Sequence, residues 1–258
     1  MAVVGLRHSG HIGRVGDWAE RAGAAGMISI HFVNVEAGEV VAPFGGVGRR
    51  FSTNPFCVGI PADDGGPMLL LDMATSLVAE GKVLVASRGG KPIPEGALVA
   101  PDGTFSTDPA ALYGPLTQDS PRDPANGEGA LTAFGLHKGS GIAFMCEILA
   151  GVLTGGGTSG PISGGSGKRI SNGMLSLYVD PARFGTPDFV ARARGYVAYV
   201  KASRPTTPGG EVLVPGEPEA RMRAERLVKG VPITPDIWAS IVSTAQSLDV
   251  SVPRPRGG

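Results

Sequence analysis

The sequence predicts a mixed α/β fold, and three observations carry that prediction. Short apolar runs of strand length, such as Phe56–Ile60 and Met68–Leu71, alternate with longer segments of helical periodicity. Glycine is abundant, 41 residues in 258, and aperiodic, which marks many tight turns rather than a collagen-like chain. The length supports a sizeable core in one large domain or two small ones. The expected division is a core over 1–182 and a helical segment over 183–258.

The elements follow in order. Ala2–Leu6 reads as a buried strand, and Arg7–Gly13 as a loop of small residues carrying His8 and His11. A helix begins at about Arg14, with Trp18, Ala19, Ala22 and Ala25 at helical spacing, and Gly26 closes it. Met27–Val33 is a strand. Gly45, Gly46 and Gly48 make 40–50 a loop, and Asn54-Pro55 favours a turn before the strand Phe56–Ile60. Met68–Leu71 is a buried strand ending in Asp72, and Ser76–Ser87 a helix. Arg88–Gly96 is a loop, Pro101–Gly103 a turn, and Thr107-Asp108-Pro109 opens a short helix. Residues 114–130, rich in Pro, Asp, Gly and Asn, form a long exposed loop too polar to pack.

Phe134–Gly141 then leads into a helix over Ile142–Leu153, apolar nearly all round and therefore expected to be buried. Residues 155–169 form a polar in-domain loop or lid. A strand over Met174–Val179 ends at Asp180-Pro181. Helices follow over Pro187–Ala202, Glu217–Val228 and Thr234–Leu248, and the tail 252–258 frays.

Charge excludes several roles. Lys+Arg and Asp+Glu both number 23, and no basic run or aromatic-interleaved basic patch breaks the balance, which argues against nucleic acid and anionic membrane as partners. No run approaches the ~20 apolar residues of a membrane span. The opening MAVVGLRHSG lacks the basic lead of a signal peptide, so a cytoplasmic location is expected. Cys57 and Cys146 lie far apart in apolar runs and read as buried free thiols; no spacing fits a metal site, and no metal is expected.

Three side chains could carry chemistry. His11 sits in a glycine-rich loop at the mouth of a helix, where a histidine can exchange protons with a substrate near neutral pH or simply lie on the surface. Asp72 ends a buried strand, as a functional carboxylate or as a cap for the helix over Ser76–Ser87. Lys138 stands at a glycine-rich helix N-terminus, which favours an anion, or it snorkels. Neither GxxxxGK[ST] nor a GxGxxG after a strand is present, and no GxSxG elbow or HExxH motif occurs. The inventory fits a cofactor-binding oxidoreductase better than a hydrolase.

Several ordered segments then carry a resemblance. Ser9-Gly-His-Ile-Gly-Arg14 resembles the SNHFGR segment of the malate/L-lactate dehydrogenase family, which is unrelated to the Rossmann dehydrogenases and includes sulfolactate and ureidoglycolate dehydrogenases and cyclic-imine reductases. Pro43–Gly46 is similar to its PFGG, Ser52–Pro55 to GTNP, Leu71–Thr75 to DMAT and Lys91–Gly96 to GxPIPEG. His137–Gly141 is similar to HKGYG and Val214–Glu217 to FPGE. The likeness runs from the first residues to about 235.

The resemblance implies a non-Rossmann NAD(P)-binding sheet flanked by helices, with C-terminal helices, and a homodimer acting on a small 2-hydroxy acid such as malate or lactate. Ureidoglycolate or a cyclic imine is the other substrate class, and a non-catalytic remnant that binds NAD(P) or a partner subunit is the rival reading. It makes His11, rather than His8, the proton-transfer histidine. Asp72, Met73 and Ala74 would line the NAD or NADP site, Lys138 would bind the cofactor, and Gly216, Glu217 and Pro218 would form its last contact segment. Thr53 and Asn54 would lie near the nicotinamide. Two positions depart from the pattern: Val35 stands where a Ser or Thr touches the cofactor, and Ser140 replaces a Tyr. The family's N-terminal segment, with a GSHG-type motif and an arginine for the substrate carboxylate, is not found ahead of His11.

Overall fold

A computed structural model describes residues 1–63, 67–117, 123–161 and 170–252. Parts of three expected features, 118–122 of the polar loop, 162–169 of the second loop and 253–258 of the tail, lie outside the described residues.

The chain opens with β1 (Ala2–Ser9), α1 (Val15–Ala24), β2 (Ile28–Glu36), β3 (Phe56–Pro61) and β4 (Pro67–Met73). These strands join β8 (Ser171–Val179) in a five-stranded antiparallel sheet of order β1-β8-β2-β3-β4. The alternation of β2 explains its place near the centre. Val33 on one face joins Val15, Ala19, Cys57, Leu70 and Met174 in a core beneath α1. Asn34, on the other face, meets the helix that crosses behind the sheet.

The second lobe is a three-stranded antiparallel sheet of order β6-β5-β7, from β5 (Leu98–Val99), β6 (Phe105–Ser106) and β7 (Ala130–Leu131), with α2 (Glu80–Ser87) and α3 (Ala110–Tyr113) beside it. Its core contains Leu98, Leu112 and Leu131, all fully buried. Each such side chain contributes roughly 1.5–3 kcal/mol of burial. No sequence signal marks these two-residue strands, because a pattern of period two cannot show in so short a run.

Behind the first sheet runs α4 (His137–Cys146), which continues as a π-helical turn over Glu147–Val152. The C-terminal helices α5 (Phe189–Lys201), α6 (Glu217–Lys229) and α7 (Pro235–Ser247) lie close to the predicted spans. Neither α5 nor α6 buries a residue.

Five expectations are corrected. β1 is an exposed edge strand, with Val3 and Val4 more than half or half exposed, rather than a buried one. It also runs on through Arg7 and His8, where the sequence predicts a loop. The helix read as 76–87 begins only at Glu80, so Asp72 does not cap it. The apolar helix read as buried all round starts at His137 and buries one stripe, Ala143, Cys146, Glu147, Ala150 and Gly151. Its outer side leaves Phe144, Met145 and Leu153 50, 51 and 65% exposed, because only small residues let a helix lie this close to the sheet. Finally, residues 124–129 of the polar segment are pinned: the Arg49 guanidinium donates to the carbonyls of Pro124, Gly127 and Gly129, and to that of Leu112 in α3. Cys57 and Cys146 are buried and free as expected, and burial pushes both thiols up to about 12.

Candidate active site

The site is built where β1 hands over to α1. The β1–β8 register slips between Leu6 and Ser9, with His8 at φ 54°, and the chain leaves the sheet before His11. His11 is exposed on the loop, and its Nδ1 accepts the Gly13 N–H at 3.0 Å. Ile12 N–H donates to Asn172 Oδ1 at 3.1 Å, and Trp18 Nε1 donates to the Ile12 carbonyl at 3.2 Å. These bonds hold the loop against the sheet.

Asp72 has an unexpected task. Arg14, at the N-cap of α1, supplies no side-chain cap, and Asp72 Oδ2 accepts the Gly16 N–H at 2.8 Å from β4. A carboxylate at a helix N-terminus satisfies an otherwise orphaned donor and meets the positive end of the dipole. The approach requires glycine, since a Cβ on residue 16 would stand 2.8 Å from that same oxygen. Burial pushes the Asp72 carboxyl above its usual value, while the Gly16 N–H and the nearby Arg14 guanidinium pull it down.

His11, Gly13, Val33, Val35, Thr53 and Asn172 are among the residues lining one cleft of about 310 Å³, at the lower end of small-molecule sites. Asn54 lies behind Thr53, fully buried at φ 34°. Thr75 ties this turn to the end of β4: its N–H donates to the Thr53 carbonyl at 2.9 Å, and its Oγ1 to the Thr53 and Asn54 carbonyls, each at 3.0 Å. The Thr75 carbonyl accepts the Phe134 N–H at 3.0 Å, which brings the α4 N-terminus to the same place. Lys138 is exposed in the first turn of α4, with no ion pair among the described residues.

Thr53, Asn54, Asp72, Met73, Ala74 and the Lys138 turn are thus adjacent in the fold, and Asp72 links them to the His11 loop. Asp72, Met73, Ala74 and Lys138 do not themselves line the His11 cleft. Gly216–Pro218 meet β4 further along: Leu70 N–H donates to the Pro215 carbonyl at 3.2 Å, and Gly216, at φ 93°, is the N-cap of α6. Glu217 is engaged within the protein, paired with Lys201 and accepting the Val214 N–H at 3.1 Å. Of the two departures from pattern, Val35 lines the cleft, and Ser140 Oγ accepts the Phe44 N–H at 3.0 Å.

The model of the malate/L-lactate dehydrogenase family matches residues 1–242. The chain belongs to that family. It is 43% identical over 249 residues to hydroxycarboxylate dehydrogenase B of Escherichia coli, covering 96% of this chain and 65% of that protein. It is 38% identical over 253 residues to an L-lactate dehydrogenase of Cupriavidus necator, covering 97% and 69%. The malate dehydrogenase structure from Pyrococcus horikoshii superposes with a TM-score of 0.78 at 27% identity, over 98% of this chain and 66% of that one. The chain spans about two thirds of the length of these relatives.

Sequence reasoning missed Asn34, Glu147, Ser159 and Asn172, which build the polar frame around the cleft. Glu147 had a signal, an acid inside an apolar helix. Asn172 had none.

Proposed function

We propose that this chain is the cofactor-binding and proton-transfer part of a nicotinamide-dependent oxidoreductase that interconverts a small 2-hydroxy acid and its 2-oxo acid, working as a homodimer. The observation that carries the reading is the shared cleft of His11 and Thr53, with Thr75 tying the Thr53 turn to Phe134, just ahead of the helix whose first turn carries Lys138. The residues fit such a cofactor: Val33 and Val35 offer an apolar wall to a flat ring, and Lys138 is exposed in the first turn of α4 with no ion pair among the described residues. When bound, NAD or NADP supplies the hydride acceptor or donor.

His11 does the proton work. With Nδ1 accepting the Gly13 N–H, the neutral ring carries its hydrogen on Nε2 and can hydrogen-bond a 2-oxo oxygen; giving that oxygen a proton takes the imidazolium, in which Nδ1 also carries a hydrogen and releases Gly13. Taking a proton from a hydroxyl requires a free lone pair, so the ring must leave Gly13. That contact is exposed, and breaking it costs about 0.5–1.5 kcal/mol, a small part of a catalytic barrier. Asp72 orients the loop through Gly16, and its second oxygen is left for a cofactor hydroxyl. Met73, Ala74, Gly216, Glu217 and Pro218 contribute main chain along the same edge. No Lys or Arg is among the described residues lining the cleft. The exposed outer side of α4, with Phe144 and Met145, supports the homodimer.

The test is His11→Ala assayed with NADH and NADPH on 2-oxo acids. Turnover falls about 10²–10⁴-fold while cofactor affinity, read by nicotinamide fluorescence, stays within about threefold. Wild-type turnover in the variant sinks the assignment.

A further inference from the structure

Behind the sheet, on the face away from His11, lies the most heavily bonded carboxylate among the described residues. Glu147 is 5% exposed in the π-helical turn. It accepts Asn54 Nδ2 at 2.7 Å and Ser159 Oγ at 2.5 Å on Oε1, and Asn34 Nδ2 at 3.1 Å and Ser159 N–H at 2.9 Å on Oε2. Four donors surround two oxygens, which is the condition for keeping an acid inside a protein. The turn is widened where Glu147 enters, a geometry common at functional sites.

The bonds continue through the sheet to the front. The Asn34 carbonyl accepts Asn172 Nδ2 at 3.1 Å, and Asn172 Oδ1 accepts the Ile12 N–H beside His11. On the other branch, Asn54 is pinned by Glu147 on its side chain and by Thr75 on its carbonyl, and it fixes Thr53 in the cleft. The packing leaves no slack. A Cβ on Gly173 would stand 2.3 Å from the Ala150 carbonyl and 2.5 Å from Asn34 Oδ1, and one on Gly151 would stand 2.7 Å from Asn34 Nδ2. Those glycines let the turn press against β2 and β8.

We propose that Glu147 and Asn172 are positioning residues: linked through Asn34, they fix the separation between the His11 loop and the Thr53–Asn54 turn. This rests on the reading that these two walls hold the substrate and the nicotinamide. Neither residue needs to touch the reacting atoms. A displacement of about 1 Å between catalytic groups can cost about 10²-fold in rate, so a frame that removes this freedom acts on kcat.

The experiment uses the full chain with three substitutions. Asn172→Ala removes the acceptor of the Ile12 N–H. Asn172→Asp keeps an acceptor there and loses the donor to Asn34. Glu147→Gln keeps the shape and replaces one carboxylate oxygen with a donor, which opposes the amide of Asn54 on one side or that of Asn34 on the other. Two readouts are taken: hydrogen exchange of the Ile12 amide by NMR, and kcat, KM and NADH affinity with 2-hydroxy and 2-oxo acids. Asn172→Ala is expected to speed Ile12 exchange at least about tenfold and lower kcat about 10–100-fold, with NADH affinity within about threefold. Asn172→Asp restores the Ile12 protection. Glu147→Gln speeds Ile12 exchange and lowers kcat at least about tenfold, although it touches neither His11 nor Ile12.

A Glu147→Gln protein that melts earlier but keeps wild-type kcat or wild-type Ile12 exchange overturns the proposal. If the wild-type chain turns over no 2-hydroxy or 2-oxo acid, the functional reading fails, and Ile12 exchange alone decides the coupling: faster in Glu147→Gln supports it, unchanged overturns it. Should Glu147→Gln not fold, the two Asn172 variants decide by the same criteria.

Discussion

Two clefts among the described residues are nearly equal in size and different in chemistry. The one under His11 measures about 310 Å³, and the one beneath the loop of Pro43–Val47 about 340 Å³. The larger is lined by groups such as Phe44, Val99, Phe105 and Leu136, with no titratable side chain among the described residues. The smaller is lined by His11, Thr53 and Asn172, backed by bonds that run through the sheet to Glu147. Volume does not distinguish a site; oriented donors and a group that can exchange a proton do.

The sharpest way to break this contrast is to remove the histidine from one cleft and an apolar wall from the other. His11→Ala should lower kcat about 10²–10⁴-fold. Phe105→Ser, in the apolar cleft on an exposed side chain, should leave kcat within about threefold, in line with ordinary surface substitutions. Equal losses from both changes would erase the distinction.

Acid should act on the His11 side of the molecule before the other. His31, in β2 beneath α1, is fully buried between Ser176 Oγ at 2.8 Å and Ser29 Oγ at 3.1 Å, and burial lowers its pKa to about 4. The unfolded chain takes up this proton near ~6.5 and the folded one only near about 4, so stability is full above the upper value and falls as the pH drops between the two. The loss by pH 4 is about 3 kcal/mol. Asp72, raised by burial, works in the opposite direction and gains as the pH falls through its raised value. Urea titrations from pH 7 to pH 4 should show the net decline, and His31→Gln should flatten it.

A smaller effect separates the two tasks given to Asp72. Asp72→Ala removes the acceptor of the Gly16 N–H and should cost about 0.5–2 kcal/mol, as loss of a helix cap does. Asp72→Asn retains an acceptor oxygen and should recover most of that stability. If Asp72→Asn also keeps full NADH affinity, the carboxylate serves the His11 loop rather than the cofactor.

The sequence made the long elements legible and the frame illegible, for physical reasons. Helices α5 to α7 were readable from their caps and periodicity, because thirteen residues give several turns of signal. The apolar character of α4 was readable, but which side it buries was not. That depends on where Gly151, Gly173 and Asn34 let the backbones meet. His11 stood out as a histidine among glycines, and the family motifs gave it a role. Asn172 and Asn34 are ordinary polar residues in strands, and only the fold reveals that the Asn172 side chain joins the Asn34 carbonyl to the Ile12 N–H while the Asn34 side chain reaches Glu147. Asp72 was legible as a carboxylate at a strand end, while the helix it caps lies 56 residues earlier in the chain.

The central claim is that the nicotinamide ring sits between His11 and Thr53, and nuclear Overhauser contacts from the C4 proton of bound NADH measure this directly. The account predicts contacts to the His11 ring and the Thr53 methyl group. Contacts to the rings of Phe44 or Phe105 in the other cleft, with none to His11, would contradict it.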